Sequence, residues 1–250
     1  MGKKNGFTLV ELIVVVSIIG VLMAFVLPSI GGVMERSRRT NAQNCIKQIA
    51  NAYLMYREDK GDFYNGGGQL VGSIREFSEI LAREGLLNDP NCYVFSSDAG
   101  ARASNKPTKD TLVQADGQSP TYCFSGETFS VNIVINLSDS CPPNTTPIIY
   151  TRGLNSDGSW DEGQGVFGRK GGFIAFLDGQ VKWFDNNVFG KLMRADMTDV
   201  TSLITEAIPS DARVLSAGYV SNYSKGESPG GSGSSGGSGS SYYYDYYDYY

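Results

Sequence analysis

The first apolar stretch runs almost without interruption from Phe7 to Leu27, FTLVELIVVVSIIGVLMAFVL, behind a short leader MGKKNG and ahead of Pro28. A bilayer-spanning helix needs about 20 such residues, so the run is long enough for one. It is too long for the core of a secretory signal peptide, and no small-residue cleavage site follows it. Beyond Pro28, Ile30, Gly31, Gly32 and Val33, the pattern becomes amphipathic, with Ala42, Cys45, Ile46, Ile49, Tyr53 and Tyr56 at three- and four-residue steps. Lys60-Gly61 is a stop signal. The pattern predicts one long helix from about Phe7 to Lys60, bare at its start and packed on a domain at its end. Unbroken, it would be about 80 Å long.

A glycine-rich loop follows, and then SIREFSEILAREG predicts a short helix capped by Ser73, with Ile74, Phe77, Ile80 and Leu81 on one face. The stretch from Asn88 to Gln118 reads as polar loop. TYCF, FSVNIVIN and PIIYTR are short and rich in β-branched and aromatic residues, as strands are. In GGFIAFLDGQVKWF, Asp178-Gly179 is expected as a two-residue hairpin turn. That register sets Phe176 opposite Val181 and Ile174 opposite Trp183, and the face they share is expected to pack on the amphipathic half of the long helix. Thr198–Leu203 and Ala212–Leu215 are candidates for short elements. The fold class is therefore α+β, a long N-terminal helix on a small antiparallel sheet. The segments read as a leader (1–6), a transmembrane or filament-core helix (7–28), the amphipathic half of that helix (29–61), a globular α+β domain (62–225), a Gly/Ser linker (226–241) and a Tyr/Asp tail (242–250). The linker cannot bury a core and is expected to be flexible and disordered.

Charge and composition narrow the chemistry. A net charge of −5 argues against nucleic acid as a partner. With no histidine in the chain, the commonest general base and metal ligand are missing, and Ser/His or Cys/His catalysis is excluded. The four cysteines, Cys45, Cys92, Cys123 and Cys141, show no CxxC spacing. In an exported chain an even number suggests two disulfides, of which three pairings are possible. Cys123 with Cys141 would close a short loop and leave Cys45 with Cys92; the competing expectation is four buried thiols. Glu11 stands out within the apolar run. A carboxylate in mid-bilayer costs about 2.5–3.5 kcal/mol on insertion scales, less near the edge where it can reach water. Lys3 and Lys4 before the run and Arg36, Arg38 and Arg39 after it leave orientation open by charge count.

The leader, Gly6, Phe7, Thr8, Leu9, Glu11, the apolar run and Pro28 together resemble the start of a type IV pilin or type II secretion pseudopilin precursor. The resemblance implies cleavage between Gly6 and Phe7 by a prepilin peptidase and N-methylation of Phe7. It also implies an inner-membrane stage with the C-terminal domain outside the cytoplasm, and then a periplasmic or extracellular helical homo-oligomer driven by a membrane platform and its ATPase. Glu11 would neutralise the new ammonium group of Phe7, on its own or a neighbouring chain, because an unpaired buried charge is costly. Pro28 and Gly31-Gly32 would let the helix bend where it leaves the membrane. A second likeness, to large pilin-like families of planctomycete-type bacteria, covers NCIKQIANAYLMYREDKG and TRGLNSDGSWDEGQGVFGRKGGFIAFLDGQVKW; this chain has Gln180 where those families usually have His.

Major pseudopilins carry a calcium loop near this part of the fold, so calcium is the one cofactor considered. Asn155, Asp157, Ser159 and Asp161 alternate oxygen ligands around Gly158, with Glu162 nearby. The segment lacks the twelve-residue EF-hand spacing, and an ordinary polar turn accounts for the same residues. Seven tyrosines end the chain, Tyr242, Tyr243, Tyr244, Tyr246, Tyr247, Tyr249 and Tyr250, offering either a rigid sticky surface on a tether or an added tail. The function expected is a structural filament subunit and not an enzyme. The alternatives are a membrane-tethered adhesin that does not polymerise and, with less in the sequence to carry it, an exported enzyme on a pilin-type anchor.

Overall fold

The computed structural model describes residues 7–155, 157–185 and 192–218, and within the first helix the side chains of residues 24–31 lie outside the description. Helix α1 is continuous over Leu9–Lys60. Its second half buries the stripe read from the sequence: Ala42, Cys45, Ile46, Ile49, Tyr53 and Tyr56 are all in the core. Gly61 ends it, its N–H donating to the Arg57 carbonyl at a φ of 81° that favours glycine. Helix α2, Ile74–Arg83, starts at Ser73, whose hydroxyl accepts the Glu76 N–H, and buries Ile74, Phe77 and Leu81. An aromatic chain joins the two helices. Phe63 lies 4.7 Å from Tyr56, 4.8 Å from Tyr53 and 4.6 Å from Phe77, between ring centres. Such pairs add to the area they bury.

The sheet contains β1 (Val131–Ile135), β2 (Pro147–Thr151), β3 (Gly172–Phe176), β4 (Val181–Phe184) and, at the far edge, β7 (Arg213–Leu215), in the order β4-β3-β2-β1-β7. Every neighbouring pair is antiparallel. The central strands β2 and β3 are buried at every position, so they read as unbroken β-branched and aromatic runs. Two more strands, β5 (Leu192–Met193) and β6 (Val200–Thr201), form a small ribbon of their own, beside helix α4, Ile204–Ala207.

Three expectations are corrected. TYCF is not a strand: Tyr122 has a φ of 52°, and the segment is held by the Thr108 N–H donating to the Cys123 carbonyl. The span from Asn88 to Gln118 is not all loop. It holds a 3-10 turn at Pro90–Cys92 and helix α3, Ala99–Asn105, whose cap Asp98 accepts the Ala101 N–H. The β3–β4 register is one residue away from that expected, pairing Ala175 with Val181 and Phe173 with Trp183. A two-residue turn at Asp178-Gly179 would need positive φ at both; only Gly179 has it, at 80°. The loop instead has three residues, Leu177–Gly179, closed by the Phe176 N–H donating to Gln180 O and the Gly179 N–H to Phe176 O. A one-residue slip changes the face of every side chain on one strand. Phe173, Ala175, Val181 and Trp183 therefore share the α1 face. Ile174 and Phe176 point the other way, with Ile174 beside Leu154, Trp160 and Leu192 and Phe176 packed 6.2 Å from Phe184.

Two polar contacts fix the frame. Where α1 leaves the domain, the Arg39 guanidinium lies 4.1 Å above the Trp183 ring and donates to Glu35 at 2.7 Å, and Lys170 donates to Glu35 at 2.8 Å. Deeper, Arg152 forks onto both oxygens of Asp98 at 2.7 and 2.8 Å, with both side chains almost fully buried. Asp98 also accepts from Ser130 Oγ, and Arg152 Nε donates to the Phe129 carbonyl. The pair thus joins α3 to β1 and β2 with its hydrogen-bonding capacity filled, the condition under which a buried ion pair is tolerated.

Arg152→Met leaves the Asp98 carboxylate buried without its counter-charge. It should cost about 3–5 kcal/mol in urea unfolding, and Arg152→Met with Asp98→Asn less than the sum of the single changes. At the helix exit, Lys170 and Arg39 hold Glu35 below the usual carboxylate range. A depressed folded pKa contributes stability above the unfolded value near 4.3, lost as pH falls through the folded value. The contact is solvent-exposed, so Glu35→Gln should cost under about 1 kcal/mol at pH 7 and remove that portion of the acid-limb slope in a pH series of melting curves.

Candidate assembly site

The head of α1 is a closed local arrangement. Thr8 is the N-cap, with extended backbone at φ −83° and ψ 150°. Its N–H and its hydroxyl both donate to Glu11 Oε2 at 2.8 Å, and the Glu11 N–H donates back to Thr8 Oγ1 at 3.2 Å. This is a reciprocal capping box, two otherwise unpaired donors satisfied by one Thr and one Glu. The carboxylate also lies in the first turn, at the positive end of the helix dipole. Both Thr8 donors use Oε2, so Oε1 stays outside the cap. The sequence signal for Thr8 is the spacing Thr-x-x-Glu, which marks a helix start without reference to any family. Phe7, next to the cap, is three-quarters exposed at 74%. Gly6 lies outside the described residues.

From this cap, α1 presents an apolar surface that nothing among the described residues covers. Leu9, Val10, Leu12, Ile13, Val14, Val15, Val16, Ile18, Ile19, Val21, Leu22 and Met23 are each about half exposed or more. They lie around the whole circumference, unlike the single stripe of the second half. Isolated exposed apolar side chains are ordinary, but a contiguous surface of this kind marks an interaction site. No helix is long and apolar enough to cross a membrane among the described residues. The expected transmembrane segment over 7–28 extends into residues 24–28, whose side chains lie outside the description. Pro28 falls within continuous α1, and its side chain is among those outside the description. Just below, Met34, Glu35, Arg38, Ser97, Val166, Phe167 and Lys170 line an open groove of about 430 Å³ between helix and domain.

The other candidate residues do different work. Asp157 accepts the N–H and hydroxyl of Ser159, and Asn155 Nδ2 donates to Ser159 Oγ. Asp161 accepts the N–H groups of Gly163 and Gln164. These oxygens are used in shaping two tight turns. Among the described residues no three Asp, Glu, Cys or His side chains gather as a metal site would require. All four cysteines are buried free thiols. Cys123 sits among Thr121, Arg75 and Glu79, and Cys141 among Ser138, Arg57 and Asp211. The two sets of neighbours share no residue. Tyr242, Tyr243, Tyr244, Tyr246, Tyr247, Tyr249 and Tyr250 lie outside the described residues.

Residues 1–27 match the family described as Prokaryotic N-terminal methylation motif. The chain is 42% identical over 59 residues to type II secretion system core protein G of Vibrio cholerae, a match of 24% of this chain and 40% of that protein. It is 42% identical over 57 residues to the Escherichia coli protein of the same name, covering 23% and 39%. To the fimbrial protein EcpC of Eikenella corrodens it is 40% identical over 58 residues, covering 23% and 38%. The chain thus spans about two fifths of these relatives' length. No solved structure matches it. Motif, capped apolar helix and relatives agree in one respect: the N-terminal segment of this chain is similar to that of type II secretion core protein G and of a fimbrial protein.

Proposed function

We propose that the chain is a structural subunit of a type IV pilus-like filament or type II secretion pseudopilus, processed at Gly6-Phe7 and assembled through α1. The observation that carries this reading is the uncovered apolar circumference of α1, beginning at the Thr8–Glu11 cap and coinciding with the matched motif. An apolar surface of that extent is stable in lipid before assembly and in a bundle of like helices afterwards. A contact that passes from each copy to the next without closing builds a filament.

In this reading a prepilin peptidase removes the leader and exposes an ammonium group at Phe7. Glu11 is the counter-charge. Thr8 holds Oε2 within the subunit's own cap, and Oε1 is presented to the ammonium group of a neighbour. The charge pair sets the stagger between helices, because a misplaced copy would bury both charges unpaired. The partners are the peptidase, the inner membrane before assembly, an inner-membrane platform with its ATPase, and further copies of this chain. The domain beyond residue 61 sets the filament's outer chemistry, and the chain has no catalytic part.

Mass spectrometry of the N-terminus in sheared extracellular material and in membranes tests this. N-methylated Phe7 in the sheared fraction is the expected result. Intact Met1, with no processed chain in either fraction, would overturn it; processed chain confined to membranes would favour a short pseudopilus or a tethered binding module. Glu11→Ala should leave processing intact and reduce sheared filament at least tenfold. Thr8→Val, which removes only the hydroxyl arm of the cap, should reduce it less.

A further inference from the structure

Cys45 lies on the buried stripe of α1, and Cys92 ends the 3-10 turn Pro90–Cys92 that packs against it. Their neighbours are crossed. Cys45 Sγ points at the carbonyl of Asn91, 4.0 Å away, and Cys92 Sγ at Gln48 Oε1, 3.7 Å away, one turn along from Cys45. The two thiols are close enough for each to shift the other's ionisation. Cys45 Sγ therefore sits beside the residue next to Cys92, and Cys92 Sγ beside a residue one turn from Cys45, on two elements already held together by the core. A disulfide needs its two Cα atoms within about 7 Å, and the contacts of each sulfur with the other's segment bring α1 and the 3-10 turn side by side at this point.

We propose that Cys45 and Cys92 are oxidised to a disulfide that ties α1 covalently to the globular domain, while Cys123 and Cys141 stay reduced. The bond joins chain positions roughly 50 residues apart, a span long enough for cross-linking to restrict the unfolded chain substantially. It sits below the helix exit at Glu35 and Arg39, where a pull on the first half of α1 would otherwise peel the helix from the sheet.

The chemistry is two successive thiol–disulfide exchanges. The Cys92 thiol beside it lowers the pKa of Cys45 from the ordinary thiol value, and Cys45, burial and Asp89 raise that of Cys92. Cys45 is thus the attacking thiolate, and it is also the more accessible of the two at 7% exposed against 1%. It attacks one sulfur of an oxidised dithiol oxidoreductase, or of glutathione disulfide, and releases the other as a thiolate. Cys92 then gives up its proton and attacks the Cys45 sulfur of the mixed disulfide, releasing the second thiol of the oxidant. Two protein thiols are oxidised to one disulfide, and one oxidant disulfide is reduced to two thiols. In the cell such an oxidant is met outside the cytoplasm, so the bond there rests on the proposed export; the purified chain tests it independently.

The experiment is to incubate the full-length chain, purified in detergent, with glutathione disulfide. The remaining thiols are blocked with N-ethylmaleimide in denaturant, and the unreduced digest is mapped by mass spectrometry. A cross-linked peptide pair carrying Cys45 and Cys92, with Cys123 and Cys141 blocked as free thiols, is the expected result. Reduction should then lower the melting temperature by roughly 10 °C, and the Cys45→Ser, Cys92→Ser double variant should melt at the reduced value with no further response to reductant. Blocked Cys45 and Cys92 after oxidation, or a cross-link from either to Cys123 or Cys141, would overturn the proposal. The peptide map needs no variant, so a variant that fails to fold leaves it decisive. The same map on chain taken from membranes separates the two readings: a bond formed in the purified chain and absent from cells would count against export, not against the thiol pair.

Discussion

Everything in this molecule depends on how one helix divides its apolar side chains. Over its second half α1 gathers them into a stripe, and the chain supplies a sheet, a second helix and an aromatic chain to cover it. Over its first half they surround the helix, and the described residues supply nothing to cover them. Burial of apolar area is the dominant favourable term in folding and in most association, so the two halves answer one demand in different ways. The second is satisfied inside the subunit, the first only outside it. A domain that met both demands alone would leave no apolar face for anything outside it.

The contacts where the halves meet are polar and specific. Glu35, Arg39, Lys170 and Trp183 occupy the short interval in which α1 passes from covered to bare. Trp183 is brought there by the β3–β4 hairpin, and Lys170 by the segment leading into β3, so both sides of the exit are set by one stretch of chain. The Asp98–Arg152 pair performs a comparable task deeper in the domain, joining α3 to the sheet. In each case charge chooses the geometry and the surrounding apolar packing supplies most of the energy. This is the usual division between specificity and stability.

Much of this could be read from the residues, and the failures have a common cause. The limits of α1, its buried stripe, the Ser73 cap of α2 and strands β1 and β2 all follow from local periodicity and capping. The hairpin was located correctly but set one residue out of register. Asp178-Gly179 fits a two-residue turn as a dipeptide, while the longer loop is secured by the Leu177 and Asp178 N–H groups donating to Thr146 and Pro143, far off in sequence. TYCF has strand composition but no strand beside it to pair with. Asp98 had the residue type of a cap, yet its partner Arg152 is 54 positions away, and no window along the chain relates them. The Thr8–Glu11 box has a local signal, Thr-x-x-Glu, that the reading of the apolar run passed over. What periodicity misses is pairing across distance, and that is where the register and the buried charge were decided.

The link between Lys170 and Glu35 spans 135 positions. During synthesis α1 leaves the ribosome long before β3 and β4 exist. At ordinary elongation rates the helix waits on the order of 10 s with its lower stripe exposed as well as its upper surface. For that interval it is apolar all round over its first half and carries an open apolar stripe along its second, an aggregation-prone state. High contact order thus sets a timetable: whatever receives the upper half has several seconds to act before the lower half closes.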